Sequence, residues 1–95
     1  MPAYLISRIR ITDEERFAKY RAASIPVAQK FGAEYLARSD KVEALDGSYD
    51  GRRLVIIKFP DTKTARAFWA SPEYRAAREH RLGAAEIDIW LVPEA

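Results

Sequence analysis

The chain opens with nine residues, Ala3–Ile11, in which apolar and β-branched positions half alternate with polar ones, the pattern of a strand buried on one face. Thr12 or Asp13 then starts a helix. Thr12 with Glu15 has capping-box spacing, and Asp13, Glu14 and Glu15 place negative charge where the helix dipole is positive. Along this helix Phe17, Tyr20, Ser24, Val27 and Phe31 recur at steps of three and four, one apolar stripe with a single polar interruption. Pro26 has no N–H to offer the carbonyl of Ala22, so it predicts a kink or a restart near Ser24; Gly32 ends the segment.

Residues 33–39 and 41–47 read as one long strand with a bulge near Asp40, or as a strand with a frayed extension. Two Asp-Gly pairs within 46–53 predict a hairpin turn. Residues 53–60, "RLVIIKFP", are the most apolar stretch and predict a central strand stopped by Pro60. Asp61 or Thr62 caps a second helix that carries Ala65, Phe68 and Trp69 on one face. Ser71 and Pro72 form an N-cap and first-turn pair, so "SPEY" predicts a helix corner, with Glu73 adding charge of the favourable sign. A last strand covers 86–92 and Pro93 ends it.

Strand, helix, strand, strand, helix, strand in one domain over residues 1–95 predicts a ferredoxin-like βαββαβ α+β sandwich: an antiparallel sheet under two helices. Both alternating faces of the last two strands are apolar, Leu54 and Ile56 against Val55, Ile57 and Phe59, and Ile87, Ile89 and Leu91 against Trp90 and Val92. Helices cover only one face, so a second copy is expected to stack its sheet on the other, giving a homodimer or a higher homo-oligomer.

Composition narrows the chemistry. With 48% apolar and 32% charged residues the chain is expected to fold, and no apolar run reaches the roughly 18–20 residues of a membrane span, so a soluble, cytoplasmic protein without membrane contact is expected. The absence of cysteine excludes disulfides, iron–sulfur clusters, thiolate zinc sites and cysteine nucleophiles. A net charge of +2, with sixteen cations interspersed among fourteen anions and no nucleic-acid-binding motif, argues against a nucleic-acid partner. No Gly-rich phosphate loop follows a strand, so no nucleotide or flavin cofactor is expected, and a single histidine without calcium-loop spacing leaves no metal site.

Candidate site residues are few. His80 is the one imidazole and the candidate for general acid–base work, against its reading as a helix cap or surface group. Arg38, at a strand end near Tyr20 and Tyr35, is the candidate to hold a carboxylate bidentately. Glu43 and Lys58 are charges in strand segments that must reach water or a partner. Trp69 and Trp90 read as core residues, each able instead to wall a pocket, and Arg75, Arg78 and Arg81 read as a solvated cationic flank. Tyr20, Tyr35, Arg38, Trp69 and His80 form the candidate ligand set, placed in the cleft between sheet and helices.

The segments "YRAA" at 20–23, "YLAR" at 35–38, Phe59–Pro60 closing a strand, and "SPEY" at 71–74 resemble the bacterial family called domain of unknown function 1330, over nearly the whole chain. The sequence departs from the family at Ala33 and Glu34, where a second glycine often stands. The resemblance implies the dimeric α+β barrel fold and no particular reaction. Three functions stay open in order: an enzyme or binder of a small carboxylated or aromatic metabolite, an assembly module whose sheet face serves dimerisation, and a nucleic-acid binder.

Overall fold

Asp13, not Thr12, turns the first strand, β1 (Ala3–Ile11), into the first helix, α1 (Glu14–Lys30). In the computed structural model, which describes all 95 residues, its Oδ1 accepts the Arg16 backbone N–H at 3.1 Å, and Thr12 instead leans toward the Gly83 carbonyl at 3.5 Å, so the capping box read from Thr12 and Glu15 is not what opens the helix. The helix does not restart near Ser24: α1 runs through Pro26 without a break, and Ala22, whose carbonyl loses its partner there, is exposed to water.

β2 (Glu34–Ser39) is short, so of the two readings of 33–47 the single long strand is not formed and a short strand with a non-strand extension is. Ser39 Oγ accepts the Lys41 N–H at 3.0 Å, a local bond that diverts the backbone from the ladder, and residues 40–52 form a connection without strand. Gly47 and Gly51 both adopt positive φ, +73° and +81°, so the Asp-Gly pairs do turn the chain, within a long loop and not a tight hairpin. β3 (Arg53–Phe59) follows, then α2 (Thr62–Ala70), capped by Asp61 through the Thr64 N–H at 2.6 Å, then α3 (Pro72–Glu79) and β4 (Ala85–Pro93). The second helical segment is thus two helices that meet at Ser71.

The sheet order is β2-β3-β1-β4, antiparallel throughout, which is the ferredoxin-like arrangement. Helices cover one face only, and the molecule is a slab whose Cα extents are 36 × 35 × 15 Å. On the covered face the pairing register lines up Phe59 with Ala3, then Tyr35, Ile57, Leu5 and Leu91, then Arg38, Val55, Ser7 and Ile89, then Arg53, Ile9 and Ile87. An aromatic cluster joins the helices to this face: Phe68 lies 5.2 Å from Phe59, 4.3 Å from Tyr74 and 6.0 Å from Phe31, ring centre to ring centre.

The uncovered face has two characters. One row, Ala37, Ile56, Ile6 and Trp90, is apolar, and Val92 and Leu36 stand beside it with 40% and 49% of their surface exposed. The other end is ionic: Arg8 Nη2 meets Asp88 at 2.8 Å, Arg10 meets Glu86 at 3.6 Å, and Arg52, brought in by the 40–52 loop, reaches Asp50, Asp88 and Glu86. Both tryptophans expected in the core stand at its edge. Trp90 points out from the uncovered face and is 46% exposed; Trp69, at 37%, lies on the rim of α2 under the guanidinium of Arg78, 4.3 Å from its ring centre. Lys58 sits half-buried in the same uncovered face opposite Glu34, and Glu43 is exposed in the loop.

Candidate functional site

A bulge in β2 decides where Arg38 goes. In a regular ladder Tyr35 and Arg38 would stand on opposite faces, because successive side chains alternate. Here Tyr35 pairs with Ile57, Ala37 with Ile56 and Arg38 with Val55, so Leu36 is an extra residue and Tyr35 and Arg38 share the helix-covered face. The bulge lies four residues before the position near Asp40 read from the sequence. The Arg38 guanidinium carbon settles 5.4 Å from the centre of the Tyr35 ring.

Facing them is the inner side of α1. Phe17, Tyr20, Arg21 and Ser24 fall at helical spacing on that side, and Arg21 lies over the Phe17 ring at 5.6 Å. Between helix and sheet lies a cleft with a cavity volume of about 50 Å³, its walls built by Ile9, Phe17, Val55, Ile57 and Ile87 and its polar groups supplied by Ser7 and Ser24. Arg21, Arg38 and Arg53 close its mouth and also line a wider surface hollow of about 380 Å³, completed by Ser39, Asp40 and Lys41. The inner space takes a few waters or a short aliphatic group, since a benzene-sized cavity is about 150 Å³.

The electrostatics of the mouth are one-sided. Arg8, Arg10 and Arg52 are all paired with carboxylates on the far face, whereas Arg21, Arg38 and Arg53 have none. Tyr20 is bonded hydroxyl to hydroxyl with the buried Tyr74 at 2.8 Å, and burial, reinforced by Tyr74, pushes its phenol well above the ordinary value. Burial pushes the Tyr35 phenol up as well, opposed by the nearby charge of Arg38. Both phenols therefore stay protonated near neutral pH and act as hydrogen-bond groups.

Of the five candidate residues, Tyr20, Tyr35 and Arg38 meet at this cleft. Trp69 lines a different groove, beside Leu5, Ala65, Arg66, Ile89 and Leu91. His80 caps the C-terminus of α3 through its backbone and is exposed, outside both. The flank residues Arg78 and Arg81 are half-buried and stack on Trp69 and Tyr20, at 4.3 and 5.3 Å, so only Arg75 of the three is the solvated charge expected. Arg21 and Arg53 join the site without being among the candidates that the sequence offers. The signal was present: Arg21 is four residues after Phe17 on the inner stripe, and Arg53 shares the parity of Val55, Ile57 and Phe59.

The chain belongs to the family described as Domain of unknown function (DUF1330), whose profile matches residues 2–95. No curated protein matches the sequence. Among solved structures it is similar to a protein of unknown function from Rhodopseudomonas palustris, with TM-score 0.79 and 20% identity over 99% of this chain and 82% of that one. It is also similar to SnoaB, a cofactor-independent oxygenase from Streptomyces nogalater, with TM-score 0.62 and 12% identity over 99% and 93% of the two chains. A dimeric ferredoxin-like protein of unknown function from Jannaschia sp. aligns at TM-score 0.66 and 9% identity over 99% of this chain and all of the other, 100%. At these identities the likeness establishes the fold.

Proposed function

We propose that this member of the DUF1330 family binds a small organic acid in the cleft between α1 and the sheet, with its carboxylate held at Arg38. The observation that carries the reading is the convergence of Arg21, Arg38 and Arg53, none paired with a carboxylate, at the mouth of a mainly apolar cleft. A guanidinium offers a planar fork of donors that matches a carboxylate, and beside low-dielectric walls such a contact is stronger than in open water. The role supported is binding and orientation. The phenols at the cleft are held protonated, so neither serves as a base near neutral pH, and His80 lies away from it. Native mass spectrometry of gently purified protein tests this: a discrete bound acid that the Arg38→Gln variant no longer retains supports it, and a ligand retained equally by both proteins contradicts it.

The uncovered sheet face supports a second element of the reading, a homodimer. The apolar row of Ile56, Ile6 and Trp90, with Val92 and Leu36 beside it, is more contiguous than isolated surface apolar residues, and the Jannaschia protein of this fold is dimeric. An assembly module without a ligand is the alternative, and it is favoured if no acid is retained by the wild-type dimer.

A further inference from the structure

Resting on the cleft reading, we infer that the ligand carries at least two negative charges at its head, a phosphate or geminal dicarboxylate type of dianion, and that only a short aliphatic end enters the cleft. Two observations lead there. The first is charge. Arg21 from α1, Arg38 from β2, Arg53 from β3 and Lys41 from the following loop surround one hollow, with Asp40 as the only carboxylate on its wall. One carboxylate would leave most of this positive charge uncompensated, whereas a dianion with three oxygens or more engages several guanidiniums at once. The second is volume. The hollow outside the arginines holds about 380 Å³ and the cleft inside them about 50 Å³, so the bulky, polar part of a ligand stays outside and an aromatic ring does not pass into the cleft as it stands. The three arginines line both spaces, which puts the anionic group at the boundary and the hydrocarbon beyond it.

Titration calorimetry of the full chain near neutral pH, with propyl phosphate, ethylmalonate and butyrate as the probes, separates the possibilities. The inference expects propyl phosphate, or both dianions, to bind at least about tenfold more tightly than butyrate. It expects Arg53→Gln, and independently Arg21→Gln, to remove most of that preference in protein whose circular dichroism is unchanged. A preference for propyl phosphate alone assigns the phosphate source, and a preference for both assigns any compact dianion. Equal affinity for butyrate and the dianions overturns this inference while leaving the cleft reading in place. No heat with any of the three overturns both.

Discussion

Ser71 serves two helices at once. Its Oγ accepts the Tyr74 N–H at 3.1 Å as the N-cap of α3 and donates to the Phe68 carbonyl at 2.8 Å at the end of α2, and the side chain is buried. Ser71→Ala is expected to cost about 1–2 kcal/mol, measured by urea denaturation, through the loss of the N-cap; the Phe68 carbonyl gives up one of two donors and keeps the Ser71 backbone N–H at 3.1 Å. Gly32, at φ +83°, lies so close to Pro60 that an added Cβ would stand 3.0 Å from its Cγ. Gly32→Ala is therefore expected to destabilise by about 1–2 kcal/mol through the left-handed backbone alone, with the displacement of Pro60 in addition. Asp61 differs in being titratable. Its bond to the Thr64 N–H holds its carboxyl below the ordinary value, so the cap contributes fully above the range where an unfolded aspartate titrates, near pH 3.9, and is lost as pH falls through the lowered folded value. Asp61→Asn keeps an acceptor and removes the titration. Thermal melts from pH 7 downward should show a shallower acid loss for the variant, and parallel curves would contradict this account. All three residues were visible in the sequence as cap or turn residues, because such signals are local: Ser71 before Pro72, Asp61 after Pro60, Gly32 after the last stripe residue.

At the level of elements, legibility follows the range of the interaction that fixes each one. β1, α1, the apolar β3 and the α2–α3 corner carry their periodicity and caps within a few residues, and they emerge where the pattern placed them. For β2 the sequence leaves two readings open, one long strand bulged near Asp40 or a strand with a frayed extension, and the structure holds a short strand followed by loop, with its bulge at Leu36, because a register depends on the neighbouring strand. Whether Leu36 or a residue near Asp40 is the extra one is decided by which side chains Val55, Ile56 and Ile57 offer across the ladder. The same reason explains the mixed result at the site. Tyr35 and Arg38 lie close in sequence, and the bulge puts them on one face; Arg53 reaches the same cleft from a different strand, and its convergence with Arg21 and Arg38 involves three elements that no local pattern relates. Trp69 and His80 were grouped with them from residue type, which carries no information about which groove a helix rim faces. The bulge gives a direct expectation. Deleting Leu36 leaves one residue between Tyr35 and Arg38, so both stay on the covered face. The deletion variant should keep acid binding within a few-fold, by the same calorimetric titration, whereas Arg38→Gln should lose about tenfold or more.

Across the whole molecule, the two faces of one sheet differ in character. The covered face holds the cleft and its unpaired arginines, and the uncovered face holds an apolar row and an ionic end whose charges balance within the chain. Sheet-to-sheet pairing of two copies would bury the apolar row of each against the other. Ile6→Lys places a charge at the centre of that row, opposite Trp90 and Ile56, without touching the helix-covered core. In sedimentation velocity the wild type is expected to run as a dimer and the variant as folded monomers, and identical sedimentation of the two proteins would remove the sheet face as the interface.

Binding of an acid at Arg21, Arg38 and Arg53 would show first in a titration followed through the arginine Nε–Hε resonances of labelled protein. With propyl phosphate or ethylmalonate added, saturable shifts are expected at those three residues, while Arg8 and Arg52, already paired with carboxylates on the opposite face, stay in place. Shifts confined to Arg66, Arg75 or Arg78, or a spectrum that does not respond, would contradict it.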